Sequence, residues 1–328
     1  MNRNNILPGQ TAKKVIYGLL PATMNKYIYM VFAGACSYGI LSTLVKLAYT
    51  QGYNTAEISV TQAFIGMCVL WLFVLFRRKN KNEELNSAQT KAVWWPLLLT
   101  GATIGLATFL YYLSVRYISA AVAVVIMMQF SWISILLDWL FFKKKPQWEQ
   151  LIIIGIILTG TVMASGMAAA GTVSVSTKGI LYALGTALLY AIYIVANSRT
   201  DSKVPALKKS AIMMSGATAG ILLVNVHHLI ADNHFDAGLL NWGISLALFG
   251  TVIPPLLFAA GIPRIGAGLS AILMTAELPV AVICAHVILK EQVSPLQWAG
   301  IILMLLAMIM LNLKKKQQQT TEKQAAAE

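Results

Sequence analysis

Residues 264–289 read RIGAGLSAILMTAELPVAVICAHVIL, and this stretch decides the fold. Almost all of it is apolar, and as a helix it is long enough to cross a hydrocarbon core of about 30 Å. Glu277 lies near its middle, two residues before Pro279. A charge at that depth is costly in lipid, so we expect the Glu277 side chain to face a protein interior or a water-filled cavity.

The same stretch has an earlier copy in the chain. Residues 116–141 read RYISAAVAVVIMMQFSWISILLDWLF, and a shift of 148 positions aligns Arg116 with Arg264 and Gln129 with Glu277. Each copy opens with arginine, continues with small residues and carries a hydrogen-bonding side chain at its middle. The pattern predicts two repeats with equivalent helices.

The composition is that of an integral membrane protein. Hydrophobic residues make up 58% of the chain and charged residues 11%, whereas soluble domains have about 25% charged residues. The mean hydropathy is +0.69. The net charge of +13 would suit nucleic acid if it covered one face, but the basic residues form short clusters between apolar runs. We therefore expect a lipid bilayer as partner and no nucleic acid.

Ten apolar runs have the length of membrane spans. A helix satisfies every backbone polar group within the run, so these runs predict an all-α membrane protein. The predicted spans are residues 27–49, 58–76, 93–115, 119–142, 151–170, 179–196, 210–230, 242–261, 266–289 and 297–313. Residues 1–26 are predicted to be a disordered cytoplasmic tail, the first 23 of them alternatively an overextended reading frame, and residues 314–328 a polar cytoplasmic tail.

The loop charges predict the orientation. If the N-terminus is cytoplasmic, 21 of the 25 lysines and arginines lie on the cytoplasmic side, counted from the printed sequence. Cytoplasmic loops carry this excess in membrane proteins, so both termini are predicted inside a cytoplasmic (inner) membrane. Five spans in residues 27–170 and five in 179–313 then enter the membrane in opposite directions. Inverted five-helix repeats of this kind are common in secondary transporters, whose substrate path lies at the repeat interface.

Residues 263–303 read PRIGAGLSAILMTAELPVAVICAHVILKEQVSPLQWAGIIL. This segment resembles the EamA-type ten-helix transporters of the drug/metabolite transporter superfamily. The residues at the positions typical of that family are Ala271, Glu277, Pro279, Glu291 and Gly300. The resemblance extends over about residues 25–313 and implies a central cavity lined by spans one, three, four, six, eight and nine. The first half departs from the pattern, with Ser131 in place of Pro279 and Lys143 in place of Glu291.

Glu277 is the first candidate for the substrate path or for coupling. Burial disfavours the charged form of a carboxyl group, so Glu277 could carry a proton; alternatively it is a structural carboxyl that bonds a neighbouring helix. Pro279 lacks an amide hydrogen and is predicted to free the carbonyl of Thr275. Gln129, the aligned residue of the first half, cannot titrate.

Other candidates are polar or helix-breaking residues inside spans. Lys46 faces either the cavity or, by extending its stem, the membrane interface. Tyr38 and Tyr190 lie near mid-span and are predicted to line the path. Pro254 and Pro255 are predicted to break span eight, as a pivot or as part of the site.

Further polar groups fit structural roles. Asp138 is predicted to pair with Lys143, five residues away, at the cytoplasmic rim; a role in transport is the alternative. His227, His228, His234, Asp232 and Asp236 resemble a metal-binding set, but a solvated loop is the better interpretation because consecutive histidines on a helix point apart. Cys36, Cys68 and Cys284 lie in apolar runs without CxxC spacing, so neither a disulfide nor a metal or other cofactor is predicted.

Together these features predict a non-enzymatic transporter that moves a small metabolite or drug-like solute by alternating access, with export as one possible direction. The chain has no GxxxxGK[ST] loop for ATP. A membrane-embedded enzyme and a ligand-sensing protein without flux are the alternatives. The protein is expected to be a monomer or homodimer.

Overall fold

The computed structural model describes residues 8–76, 87–118, 120–165, 176–200, 204–231 and 236–325, and all regular structure in these ranges is helical. The first half contains α1 (Pro8–Thr50), α2 (Thr55–Phe76), α3 (Ser87–Val115), α4 (Ala120–Met127), α5 (Phe130–Phe142) and α6 (Trp148–Ala164). The second half contains α7 (Thr177–Ser198), α8 (Ala206–Ala231), α9 (Ala237–Leu246), a π-helix (Ala247–Val252), α10 (Ile253–Ile265), α11 (Ala267–Met274), α12 (Glu277–Leu289) and α13 (Pro295–Ala325).

Eight helical stretches in the described ranges are long and apolar enough to cross a membrane. They are Asn25–Thr50, Thr55–Phe76, Trp94–Ser114, Val122–Phe142, Thr177–Ser198, Ala206–Val226, Ala237–Ile265 and Ala267–Leu289. Two shorter apolar helices, Trp148–Ala164 and Pro295–Met310, correspond to predicted spans five and ten. The all-α membrane fold is thus confirmed, and the total of ten spans stays a prediction because these two are short.

The two chain ends differ from the predicted boundaries. Helix α1 begins at Pro8, so most of the tail predicted to be disordered forms the turns that precede the apolar span at Asn25. Helix α13 likewise continues to Ala325, beyond the predicted end at residue 313. Extending an existing helix adds one hydrogen bond for each residue fixed, which allows polar turns to follow an apolar span.

The helix packing is the same when the two halves are exchanged. Helix α1 packs against α10, α11 and α12 of the second half, and α7 packs against the equivalent α3, α4 and α5 of the first. Helices α2 and α8 pack against each other, as do α6 and α13. This pattern is expected for two repeats related by a pseudo-two-fold axis.

The backbone corrects the predicted repeat alignment by one residue. The eight residues of α4 and the 13 residues of α5 match α11 and α12 in length. The breaks contain Gln129 and Ala276, both at φ −60° and ψ −17°, and the helices end at left-handed Lys143 and Lys290. Each of these pairs is 147 positions apart, so Glu277 is equivalent to Phe130 and not to Gln129. Apolar runs of small residues match almost equally well at neighbouring shifts, which is why the predicted shift of 148 was wrong.

Close packing between α3 and α8 depends on glycine. A Cβ atom added at Gly101 would lie 1.7 Å from the carbonyl oxygen of Met213, and one at Gly216 would lie 2.0 Å from the carbonyl oxygen of Leu98. Small residues allow helix backbones to approach this closely in membranes. This contact holds the two halves together beside the cavity.

Candidate functional site

A cavity of about 740 Å³ lies between the two halves and opens at one end of the helices. Its mouth is formed by the end of α1, the start of α2, the end of α3 and the segment between α12 and α13. Helix α12 contributes Leu278, Ala281, Val282, Ala285 and Leu289, which at helical spacing form one apolar face. The loop charges predict that this end faces outside.

Glu277 lies deep in this cavity, at the start of α12. The first turn of a helix favours a negative side chain and tolerates Pro279, because the first amides have no intrahelical partner. Helix α1 passes the same point closely, and a Cβ at Gly39 would lie 2.7 Å from the Glu277 carbonyl oxygen.

The Glu277 carboxyl group has no cation beside it in the described part of the chain. The ion pairs Lys46–Glu291 and Arg199–Asp138 use other carboxylates. The cavity wall around Glu277 is instead aromatic, with one tyrosine on α1, two on α3 and one on α7: Tyr38, Tyr111, Tyr112 and Tyr190.

The cavity mouth carries the charged groups. Lys46, near the end of α1, donates to the Glu291 carboxylate just after α12, and both side chains remain about half exposed. Arg116 also lines the mouth. His286 Nδ1 lies 2.7 Å from the Glu291 carbonyl oxygen, and its ring stands edge-on to Trp298. The mouth is therefore polar, whereas the wall below it is apolar and aromatic.

The opposite end is closed by packed rings and an ion pair. The Phe130 ring lies 4.6 Å from the Tyr190 ring, and Tyr193 continues the stack. Beyond them Arg199 donates to the buried Asp138 carboxylate. The predicted Asp138–Lys143 pair is therefore wrong: Lys143 ends α5 in the left-handed conformation, and the partner of Asp138 comes from the end of α7.

The structure brings together four of the eight predicted path residues. Glu277, Lys46, Tyr38 and Tyr190 line the cavity. The lining does not include the other four, which are Gln129, Thr275, Pro254 and Pro255.

Gln129 and Thr275 are engaged within their own helices. The Gln129 amide donates to the Val125 carbonyl and accepts from the Trp132 indole. The Thr275 hydroxyl donates to the Ile272 carbonyl. The predicted free carbonyl of Thr275 is wrong, because the Leu278 amide donates to it at 3.3 Å across the break between α11 and α12.

Pro254 and Pro255 interrupt span eight as predicted, but away from the cavity lining. Both are buried in the first turn of α10, directly after the π-helix. The Ile253 amide reaches back to the Leu248 carbonyl, five residues earlier. The carbonyl of Pro255 accepts from the Ser210 hydroxyl of α8. This local widening is a general consequence of proline in a helix, since each proline removes one amide donor.

The cavity lining also differs from the spans that the resemblance implies. No residue of α9, the π-helix or α10 appears in it, whereas Ala164 at the end of α6, Ser165 just after it and Gln297 of α13 do. Sequence reasoning missed Thr43 as a lining residue, because a threonine on an apolar helix is indistinguishable from packing. Arg116 and Glu291 were noted only as repeat or family positions.

The histidines and aspartates that resemble a metal-binding set form no such cluster among the described residues. The side chains of His227 and His228, and residues 232–235, lie outside the described part. Asp236 instead caps α9: its carboxylate accepts from the Leu239 amide at 2.7 Å and from the Tyr53 hydroxyl at 2.9 Å. These hydrogen bonds, the Leu239 amide first, lower the pKa of Asp236 below its usual value.

Comparison with known proteins agrees with the repeat structure. The description "EamA-like transporter family" matches residues 25–166 and again residues 177–313. The chain is 23% identical over 309 residues to the "Uncharacterized transporter sll1319" of Synechocystis sp. (strain ATCC 27184 / PCC 6803 / Kazusa), covering 87% of this chain and 92% of that protein. It is 24% identical over 295 residues to the "Uncharacterized transporter YwfM" of Bacillus subtilis (strain 168), covering 88% and 94%.

A solved crystal structure shares the fold at a TM-score of 0.66 and 18% identity, covering 85% of this chain and 96% of that one. Each half of the chain matches the same family description, and the helices of the two halves pack in equivalent ways. The protein belongs to the EamA-like transporter family and is a multi-pass membrane transporter.

Proposed function

We propose that this protein is a secondary transporter that moves a small metabolite or drug-like solute across the cytoplasmic membrane by alternating access. The observation that carries the proposal is a cavity that reaches Glu277 from one end and is closed at the other by Phe130, Tyr190 and the Arg199–Asp138 pair. A solute held at that depth has passed half of the bilayer and needs only the closed end to open.

Two ion pairs, one at the open mouth and one at the closed end, support this mechanism. Lys46 on α1 pairs with Glu291 just after α12, and Arg199 just after α7 pairs with Asp138 on α5. Since the α1–α12 and α7–α5 contacts are exchanged by the pseudo-two-fold axis, we propose that the pairs mark two gates. At the closed end Arg199 and Asp138 are 41% and 6% exposed, and at the open mouth Lys46 and Glu291 are 59% and 43% exposed.

The orientation and assembly follow from the same proposal. With both termini cytoplasmic, the cavity of this conformation opens to the outside. The residues that line the cavity come from both halves of one chain, and we propose that a monomer carries out transport whether or not the protein forms a dimer.

Flux into liposomes tests the function directly. Purified protein in liposomes is incubated with a metabolite extract, and the lumen is analysed by mass spectrometry against protein-free liposomes. We expect at least one solute to accumulate or to be lost selectively. Binding of a solute without flux in either direction would show a ligand-sensing protein instead, and chemical conversion of a solute would show an enzyme.

Accessibility of one cavity position tests alternating access. Thr108 lines the cavity, and Thr108→Cys in a variant without Cys36, Cys68 and Cys284 provides a single thiol. An impermeant thiol reagent should reach it from the mouth side, and a transported solute should expose it to the other side. Labelling from one side only, with and without solute, would contradict the proposal.

A further inference from the structure

We propose that the cavity binds a monovalent amine cation with an aromatic or otherwise apolar body, its ammonium group against Glu277, in one-for-one exchange for a proton. The exchange rests on the transport function proposed above, whereas the binding of the amine does not.

The charge of the cavity floor, at Glu277, favours a cationic ligand. A carboxylate removed from water needs a counter-charge or a proton, and the described part of the chain supplies no cation to Glu277. The other cavity carboxylate, Glu291, is already paired with Lys46 at the mouth. A bound ammonium group would therefore supply the positive charge that the Glu277 carboxylate lacks. A bound anion would be repelled by that carboxylate.

The walls indicate what the cation is attached to. Tyr38, Tyr111, Tyr112 and Tyr190 surround the floor, and aromatic faces attract ammonium groups, most strongly where water is excluded. Thr43 also lines the cavity and is 2% exposed. Its hydroxyl has no hydrogen-bond partner among the described residues. It offers an acceptor for an ammonium N–H. The remaining wall is apolar, as pockets for drug-sized bodies are.

The difference between the two halves at the position of Glu277 determines how many positive charges the cavity floor can bind. At the position equivalent to Glu277 the first half has Phe130, fully buried on Tyr190. The floor therefore has one carboxyl group where a symmetric transporter would have two. It holds one proton or one monocation at a time, and a dication would leave one charge without a partner.

The titratable and charged groups that line the cavity with Glu277 come from three other helices and from the mouth. They include the phenols of Tyr38 on α1, Tyr111 and Tyr112 on α3 and Tyr190 on α7, with Lys46, Arg116 and Glu291 at the mouth. Because proton and amine compete for one carboxyl group, raising the pH should strengthen amine binding until Glu277 is fully ionised.

Binding of three matched probes tests the recognition. 2-Phenylethylamine, 2-phenylethanol and phenylacetate share a ring and chain length and differ in charge, and hexylamine keeps the charge without the ring. We expect the purified protein to bind 2-phenylethylamine most tightly by calorimetry. Glu277→Gln should weaken that binding about tenfold or more without affecting 2-phenylethanol. Glu149→Gln, a carboxyl change outside the cavity lining, should change neither. Equal or tighter binding of the alcohol or the acid, or unchanged amine binding by the folded Glu277→Gln variant, overturns the proposal.

Proton release tests the exchange. In weakly buffered solution, amine binding should release protons from the native protein, up to one for each amine bound, and none from Glu277→Gln. In liposomes, amine flux should follow a pH gradient and remain insensitive to membrane potential. Flux of the alcohol or the acid without amine flux overturns this inference while leaving the transporter function intact. Amine binding and proton release without any flux would contradict the transporter function alone.

Discussion

Phe130 and Glu277 occupy equivalent positions, each the first residue of the 13-residue helix that follows a break in the fourth span of its half. Phe130 packs on Tyr190 in the closed end, whereas Glu277 lies on the floor of the open cavity near Tyr38. The residue at this position therefore closes the cavity in the first half and provides a polar group to the cavity in the second half. The carboxyl group distinguishes the two halves at this position.

Glu277→Gln should remove most of the pH dependence of solute flux. The amide has nearly the same shape as the carboxyl group but cannot exchange a proton, so the fold should survive while coupling is lost. Tracer flux into liposomes is measured for native protein, Glu277→Gln and Glu149→Gln from about pH 5.5 to about pH 8.5, roughly 1.5 units on either side of neutrality. Undiminished, equally pH-dependent flux in Glu277→Gln would make Glu277 a structural residue.

Asp138→Asn should loosen the closed end. The amide keeps the size of the side chain but removes the charge that Arg199 contacts, and every 1.4 kcal/mol lost from the closed conformation raises the open population about tenfold. The thiol of Thr108→Cys should then be labelled faster from the side of Asp138. Lys46→Gln, which removes the pair at the open mouth, is the matched control and should not speed labelling from that side. Faster labelling in both would show general loosening.

Gly101→Ala should destabilise the protein strongly. Its Cβ would lie 1.7 Å from the Met213 carbonyl oxygen, and overpacking a tight contact costs about 1–3 kcal/mol. Gly155→Ala is the control, because a Cβ there meets no atom within 4 Å and alanine favours a helix. Thermal unfolding in detergent should show a lower Tm for Gly101→Ala only. Equal Tm values would mean that α3 and α8 are farther apart.

Asp236 should contribute to acid stability. The Leu239 amide and then the Tyr53 hydroxyl lower the pKa of Asp236 in the folded protein below its ordinary value of 3.8. The contribution of Asp236 to folding stability is therefore fully present above the unfolded pKa. It is lost as the pH falls through the lower pKa of the folded state. Asp236→Ala should lower the Tm at pH 6, and the difference from native protein should shrink below pH 4, on the order of the ordinary pKa. A constant difference at both pH values would indicate lost packing.

The orientation can be tested with a reporter that is active only outside the cytoplasm. Fused after Glu328, it should be silent, since the distribution of lysines and arginines, with 21 of 25 on one side, predicts that the C-terminus is inside. The same reporter inserted after Gly52, at the cavity mouth, should be active. A reversed result would place the mouth in the cytoplasm.

Local chemistry explains what could be predicted from the sequence. Apolar runs must be helical in lipid whatever their neighbours are, so the fold class and the placement of Glu277 in a cavity follow from residues 264–289 alone. Lys46, Tyr38 and Tyr190 were found because polar groups at mid-span or span ends have few other places to lie.

Relations between distant residues could not be predicted in this way. The partner of Asp138 is Arg199, 61 positions later, and a charge five residues away was an equally reasonable choice from the sequence. The repeat register also needed the backbone, since the breaks at Gln129 and Ala276 are defined by dihedral angles that small apolar residues do not specify. Thr43 and the contribution of α6 to the mouth depend on how helices pack, which composition does not contain.

The π-helix of span eight has a consequence for energetics. Helix α3 is continuous where its counterpart contains six π-helical residues followed by Pro254 and Pro255. Under the alternating access that we propose, the two halves therefore cannot exchange conformations as two-fold equivalents, and the inward-facing and outward-facing forms must differ in free energy even without solute. Such a transporter has a preferred resting orientation, and its empty return step has a different rate in each direction.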